Sequence, residues 1–230
     1  MAGFVEVAPG LRRLSLMPLD LVNVYLLEDV LLDAGGRSAV ARLLRALRGH
    51  GLTAHVLTHA HFDHQGGSHA VCEQRGVPLW CGRGDRWAVE TGELSRVYPD
   101  RNSRIARVSD RLAGPGHPVA RTLADGDRVG GFAVVETPGH TPGHLAFWRE
   151  RDRVLVLGDA LFHRNPLTLH RGLAEPYAFL VADTAAARES ARRLARLEPE
   201  LVCFGHGPPL RDPARFQAFV GTLAVRGADG

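Results

Sequence analysis

Lysine is missing altogether: all 28 basic residues of the 230-residue chain are arginine. A Schiff-base lysine and a P-loop lysine are therefore excluded. Cysteine is scarce. Cys72, Cys81 and Cys203 make an odd number and no two have C-x-x-C spacing, so reduced thiols are expected rather than a disulfide framework. No G-x-S-x-G pentapeptide occurs, which removes a familiar setting for a nucleophilic serine. Neither sign of charge is in large excess. The formal net charge of +3 demands neither a nucleic-acid nor a membrane partner. No run approaches the roughly 18 apolar residues of a membrane helix. The opening MAGFVEVAPG lacks the basic start and apolar stretch of a signal peptide. These absences predict a soluble cytoplasmic protein.

What is present suits a packed domain. Apolar residues make up 45% of the chain, enough for a normal core. Strands are expected at 11–16, 21–28, 30–33, 53–58, 77–81, 132–138, 144–150, 153–159 and 200–204. Helices are expected at 37–49, 66–76, 182–199 (capped by Asp183 or Thr184) and from about 213. In the first of these Val40, Leu43, Leu44 and Leu47 share a face, with Arg42, Arg45 and Arg48 on the wet side. Residues 82–118 are the least regular and read as a lid or insertion within a single 1–230 domain. A helix over 100–112 would turn Ile105, Val108 and Leu112 inward and leave Arg101, Arg104 and Arg111 solvated. The second half echoes the first: VLLDAG (30–35) and VLVLGDA (154–160) are each a strand ending at an aspartate. Two sheets face to face with helices outside, an α/β class, would fit.

The densest polar stretch is THAHFDH, residues 58–64, with three histidines and an aspartate in seven positions. His59, His61, Asp63 and His64 follow one apolar strand. His140 follows a second, Asp159 a third and His206 a fourth. Neutral imidazoles and carboxylates at four strand ends are what a divalent cation requires, and loops on a rigid scaffold are where function gathers. Seven groups suffice for two three-residue sets and a bridging carboxylate. His50, His55, His69, His117 and His170 have no such company and read as core or surface histidines. Cys203 reads as core.

THAHFDH, TPGHTPGH (137–144), GDALF (158–162) and FGHG (204–207) resemble, in order, the signatures of the metallo-β-lactamase superfamily. The resemblance implies a four-layered αβ/βα sandwich with two mixed β-sheets. It also implies the sorting of ligands: His59, His61 and His140 on one ion, Asp63, His64 and His206 on the other, and Asp159 between them. The ions would be two zinc, with iron or manganese as the alternatives, and a hydroxide held between them would attack a carbonyl. Asp63 would double as a catalytic proton carrier. His144 and Asp33 are expected to orient the site, and Phe162, His163, Trp87, Leu94 and Tyr98 to meet a small-molecule substrate.

The likeness has departures. β-Lactamases of the superfamily often place a cysteine where this chain has Asp159, which argues against β-lactam cleavage. Acyl-homoserine lactonases commonly have a tyrosine where this chain has Phe162. Glyoxalase II-like thioesterases usually carry a C-terminal helical domain, and with only 24 residues after His206 we expect none. A general ester, thioester or lactone hydrolase is the expectation. A mononuclear-iron persulfide dioxygenase using His59, His140 and Asp159 is the alternative. A phosphodiesterase or nuclease would need a more basic surface. A homodimer is compatible with the sequence.

Overall fold

The computed structural model describes residues 3–223 and places two mixed sheets back to back. The first sheet runs in chain order: β1 (Val5–Ala8), β2 (Leu11–Ser15), β3 (Asn23–Leu27), β4 (Val30–Leu32), β5 (Ala54–Val56), β6 (Leu79–Gly82) and β7 (Val119–Leu123). Its first four strands pair antiparallel, and β4 to β7 pair parallel. The second sheet holds β8 (Arg128–Val129), β9 (Phe132–Glu136), β10 (Leu145–Arg149) and β11 (Val154–Val156). A separate hairpin follows, β12 (Phe162–Arg164) with β13 (Arg171–Ala174). The chain then returns as β14 (Leu201–Cys203), parallel to β11.

The period-2 alternation of strands decides the layers. Tyr25 and Leu27 of β3 point to the other sheet, where they meet Phe132, Val134, Phe147 and Val156. Val24 and Leu26 point outward onto α1 (Val40–Ala46) and α3 (Ser68–Arg75) through Leu43 and Val71. Between those helices lies the one-turn α2 (Phe62–Gln65). On the far side, Ala146, Leu155 and Val202 bury α6 (Thr184–Ala195) and α7 (Pro213–Thr222) through Leu194 and Phe216. The result is an αβ/βα sandwich, as the motifs implied. No helix among the described residues is long and apolar enough to cross a membrane.

Residues 82–118 contain α4 (Arg86–Thr91) and α5 (Arg104–Leu112), whose apolar groups join Leu57, Ala60 and Cys72 in one cluster. Here one expectation fails. α5 turns Ala106 and Ser109 inward, while Val108 and Leu112 are 41% and 45% exposed. Small residues let the helix press against Tyr98, whose hydroxyl donates to Ser109 Oγ at 2.9 Å and sets the helix rotation. Ile105 does pack against the cluster, but Ala106 and Ser109 take the inner positions that the spacing of large residues assigned to Val108 and Leu112. Strands β1, β7, β8, β12 and β13 are not foreseen in the sequence because none carries a continuous apolar run.

Candidate metal centre

Four strand ends meet at one place. β5 delivers His59, His61, Asp63 and His64, β9 delivers His140, β11 delivers Asp159, and β14 delivers His206. Asp159 Oδ2 lies at the middle. It is 2.9 Å from His206 Nε2, 3.5 Å from His64 Nε2, 3.7 Å from His140 Nε2 and 3.8 Å from His59 Nε2. Asp63 Oδ2 is 3.4 Å from His206 Nε2 and 3.9 Å from His64 Nε2. His59, His61 and His140 bring their ligand atoms within 4.8 Å of one another, and so do Asp63, His64 and His206. The structure thus brings all seven sequence-derived groups together.

The loops can approach this closely because of glycine. A Cβ on Gly205 would sit 2.0 Å from Asp159 Oδ1, and Gly158, at φ +58°, leaves room for His144 Nε2.

Outer hydrogen bonds fix which nitrogen of each imidazole faces inward. His64 Nδ1 donates to Asp33 Oδ2 at 2.8 Å. Thr58 Oγ1 donates to the same oxygen at 2.8 Å and accepts from His59 Nδ1 at 2.9 Å. His206 Nδ1 donates to the Leu21 carbonyl. All three Nε2 atoms are therefore aimed at the centre, those of His59 and His64 without a hydrogen-bond partner and that of His206 facing Asp159, the ring orientation that metal-bound histidines adopt. Asp33 holds a left-handed backbone at φ +61°, and the Thr58 N–H to its Oδ1 at 2.8 Å helps to keep it there. The Asp159 N–H donates to His144 Nε2 at 3.1 Å, so the His144 proton is on Nδ1, facing Thr137 Oγ1 at 2.7 Å. Asp33 and His144 thus both hold ligand-bearing groups in place.

Three positioning residues escaped the sequence reading. Buried Asp85 accepts from the Ala60 N–H, Thr141 Oγ1 and the Gly143 N–H at 2.7–2.8 Å, tying the THAHFDH loop to the TPGH loop. Burial pushes its carboxyl up to about 6, against those three donors. Asn23 Nδ2 donates to the Phe204 and Gly207 carbonyls, and the Tyr25 hydroxyl to Phe204, pinning the FGHG loop. A buried asparagine inside the apolar run LVNVYLL was the available signal.

The substrate candidates separate. Tyr98 lies against His61 with ring centroids 4.7 Å apart, and Phe162 packs edge-on to His206 at 4.9 Å. Both border the centre, although Phe162 is only 1% exposed. His163 lies elsewhere: its ring is on Phe204 and its Nδ1 meets the Pro208 carbonyl at 2.7 Å, because it alternates with Phe162 along β12. Trp87 is 54% exposed and carries the Arg96 guanidinium 4.8 Å above its ring, while Leu94 is buried core.

Burial lowers the pKa of His59 and His140 well below the ordinary imidazole range and pushes His61 down to about 4. Burial also opposes charge on Asp159, but His206 and His64 outweigh it and hold the carboxyl well below the usual range. Those two imidazoles are raised in return: burial lowers them, and Asp159 more than compensates. The Nε2 atoms of His59, His61 and His64, both ring nitrogens of His140, and Asp159 Oδ1 are buried without a hydrogen-bond partner. Each such atom costs about 1–3 kcal/mol if left alone. Lone pairs facing one another repel, and a cation converts that repulsion into binding, so this donor set fits metal.

The sequence model of the metallo-beta-lactamase superfamily matches residues 17–206. The chain belongs to that superfamily. Within it, "Probable metallo-hydrolase YflN" of Bacillus subtilis is 31% identical, over 91% of this chain and 88% of that protein. A hydroxyacylglutathione hydrolase of Cereibacter sphaeroides is 33% identical, over 83% of this chain and 67% of its own length. Among solved structures of the superfamily, TTHA1623 in a di-iron-bound form superposes with a TM-score of 0.67 at 32% identity, covering 86% of this chain and 93% of that one. The B3 metallo-beta-lactamase BLEG-1 gives the same TM-score at 27% identity, covering 87% and 93%. Membership makes the chain a metallo-hydrolase with the superfamily's sandwich fold.

Proposed function

We propose that this protein is a dinuclear metal-dependent hydrolase acting on the carbonyl of an ester, thioester or lactone. The observation that carries the reading is Asp159 Oδ2, centred among four imidazole Nε2 atoms drawn from both ligand sets. A single-iron dioxygenase would need only His59, His140 and Asp159. The second set, Asp63, His64 and His206, converges equally well, which favours two cations. Zinc suits these nitrogen and oxygen donors, and iron is the metal in the TTHA1623 structure. When bound, the cations supply an activated water and a Lewis acid for the carbonyl oxygen.

The chain's own residues do the rest. His59, His61 and His140 would hold one cation, Asp63, His64 and His206 the other, and Asp159 both. Asp33 and Thr58 keep His59 and His64 in the binding tautomer, and His144 holds the Asp159 backbone. Asp63 has a side chain 24% exposed, against 3% for Asp159, so it is the carboxylate that can pass a proton to a leaving group. Tyr98, from residues 82–118, and Phe162 set aromatic rings against the ligand histidines His61 and His206 and would form the apolar wall of the site. The likeness to hydroxyacylglutathione hydrolases supports a thioester among the substrates. Phe162 in place of tyrosine weighs against lactones.

The test is hydrolysis of aryl esters, acyl thioesters, lactones and a β-lactam by the purified protein, with metal content measured in the same sample. Turnover of an ester-type bond with about two metals per chain supports the reading. One iron per chain with O₂ consumption, or a fully loaded protein inert to all ester-type substrates, overturns it.

A further inference from the structure

A second cluster of ligands lies outside the centre. His69 and Glu73 are four residues apart on α3, so they share one face of the helix. His117 arrives opposite them, at the end of residues 82–118. His69 Nδ1 and His117 Nδ1 are 3.4 Å apart, His117 Nδ1 and Glu73 Oε1 are 3.8 Å apart, and all three ligand atoms lie within 4.8 Å of one another. A good hydrogen bond to nitrogen is shorter, near 2.9–3.0 Å. Zinc–nitrogen bonds of about 2.0–2.1 Å at tetrahedral angles set neighbouring ligand atoms about 3.3–3.4 Å apart. The two imidazoles make a long hydrogen bond at a separation that one zinc ion could also span. We propose that His69, Glu73 and His117 form a third zinc site, separate from the catalytic pair.

His117 is prepared for this role. Its N–H donates to the Val89 carbonyl at 3.0 Å, which fixes the backbone to α4. Just before it, Gly114 and Gly116 lie so close to the Gly66 and Glu90 carbonyl oxygens that a Cβ would sit 2.2 Å from either. Gln65 Nε2 reaches the Pro115 carbonyl at 3.4 Å. The loop 113–118 thus already abuts the end of α2, the turn that carries Asp63 and His64. A zinc bound by two α3 residues and one loop residue fastens residues 82–118 to the helix behind the catalytic loop. Glu73 is 63% exposed and His117 14%, so the fourth position is open to water. The role is structural: it stiffens the wall that bears Tyr98.

The experiment uses the full chain with its catalytic centre loaded and loosely bound metal removed. Calorimetric titration with zinc chloride near neutral pH is expected to show one further zinc per chain, with a rise in Tm. His69→Ala and His117→Ala are each expected to weaken that binding by more than about 100-fold and to abolish the Tm rise. Glu73→Gln keeps both imidazoles and is expected to weaken it by about tenfold. All three variants should retain the metal content of the catalytic centre. If His117→Ala fails to fold, His69→Gln, at a half-buried position of α3, serves in its place. The site is refuted if the loaded wild-type protein takes up no further zinc, or if the variants take up as much as it does.

Discussion

Two histidines on the same stretch of chain are equally buried and do different work. His55 lies within β5, 0% exposed, and His59 lies just beyond its end, 1% exposed. Both ring nitrogens of His55 are satisfied, Nδ1 by the Leu31 carbonyl at 3.1 Å and Nε2 by Ser68 Oγ at 2.9 Å. His59 satisfies Nδ1 through Thr58 and leaves Nε2 bare. Burial therefore does not distinguish a ligand from a core histidine; what marks His59 is an unpartnered nitrogen that faces Asp159 and the other ligand imidazoles. A satisfied imidazole braces the sheet, and one with a bare nitrogen aimed at its neighbours is waiting for a cation.

The strongest way to break the comparison is to remove the group the bare nitrogens share. Asp159→Ala should strip metal from both sets and reduce turnover by more than about 1000-fold, because the remaining imidazoles repel one another without a bridging charge. Metal analysis together with steady-state kinetics checks it. His61→Ala should cost the first ion and the activity likewise. Metal content and rate that survive either change would mean the cage is not the active centre.

Next in size is a pH effect at the satisfied histidine. Burial lowers the His55 pKa to about 4, below the 6.5 of an exposed imidazole. As pH falls, the unfolded chain takes up this proton first. The contribution to stability is thus complete above pH 6.5 and is lost progressively from there down to about 4. A full 2.5-unit difference amounts to about 3 kcal/mol. Denaturant unfolding of the wild type and His55→Gln across that window isolates it, since Gln cannot titrate. Parallel pH profiles for the two proteins would remove His55 from the account.

A smaller step makes the ligand histidines less well held without touching the ligands. Asp33→Asn keeps size and shape but offers an amide in place of the carboxylate that accepts from His64 and Thr58. Metal affinity and activity should fall by about 10–100-fold, the usual loss when a carboxylate behind a ligand histidine is removed. Competition with a chelator reads the affinity directly. An unchanged affinity would show that packing alone orients these rings.

The same contrast explains what could be read from the sequence. The ligands were legible because strong strands end at them and a dense motif names four of the seven. Asp33 and His144 were legible as polar residues beside those motifs. Asp85 was not, because its partners Ala60, Thr141 and Gly143 are 25 to 58 residues away and two of them contribute only backbone N–H groups. No local pattern records such a bond. His69 and His117, 48 residues apart, read as unrelated core or surface histidines for the same reason.

The smallest effect is expected where periodicity pointed to the wrong face. Leu112 and Val108 have the spacing of core positions, yet they stand outside beside Arg104, Arg107 and Arg111. Leu112→Ser should therefore change unfolding stability by less than about 0.5 kcal/mol, as exposed substitutions do. Ala106→Leu, on the face that touches the interior, should cost about 1–3 kcal/mol by overpacking. It would push α5 off Tyr98 and with it the wall against His61, so its effect should reach KM as well as Tm. If Leu112→Ser proved the more damaging of the two, α5 would have to be rotated to bury the large residues, and Tyr98 would lose its hydrogen bond to Ser109.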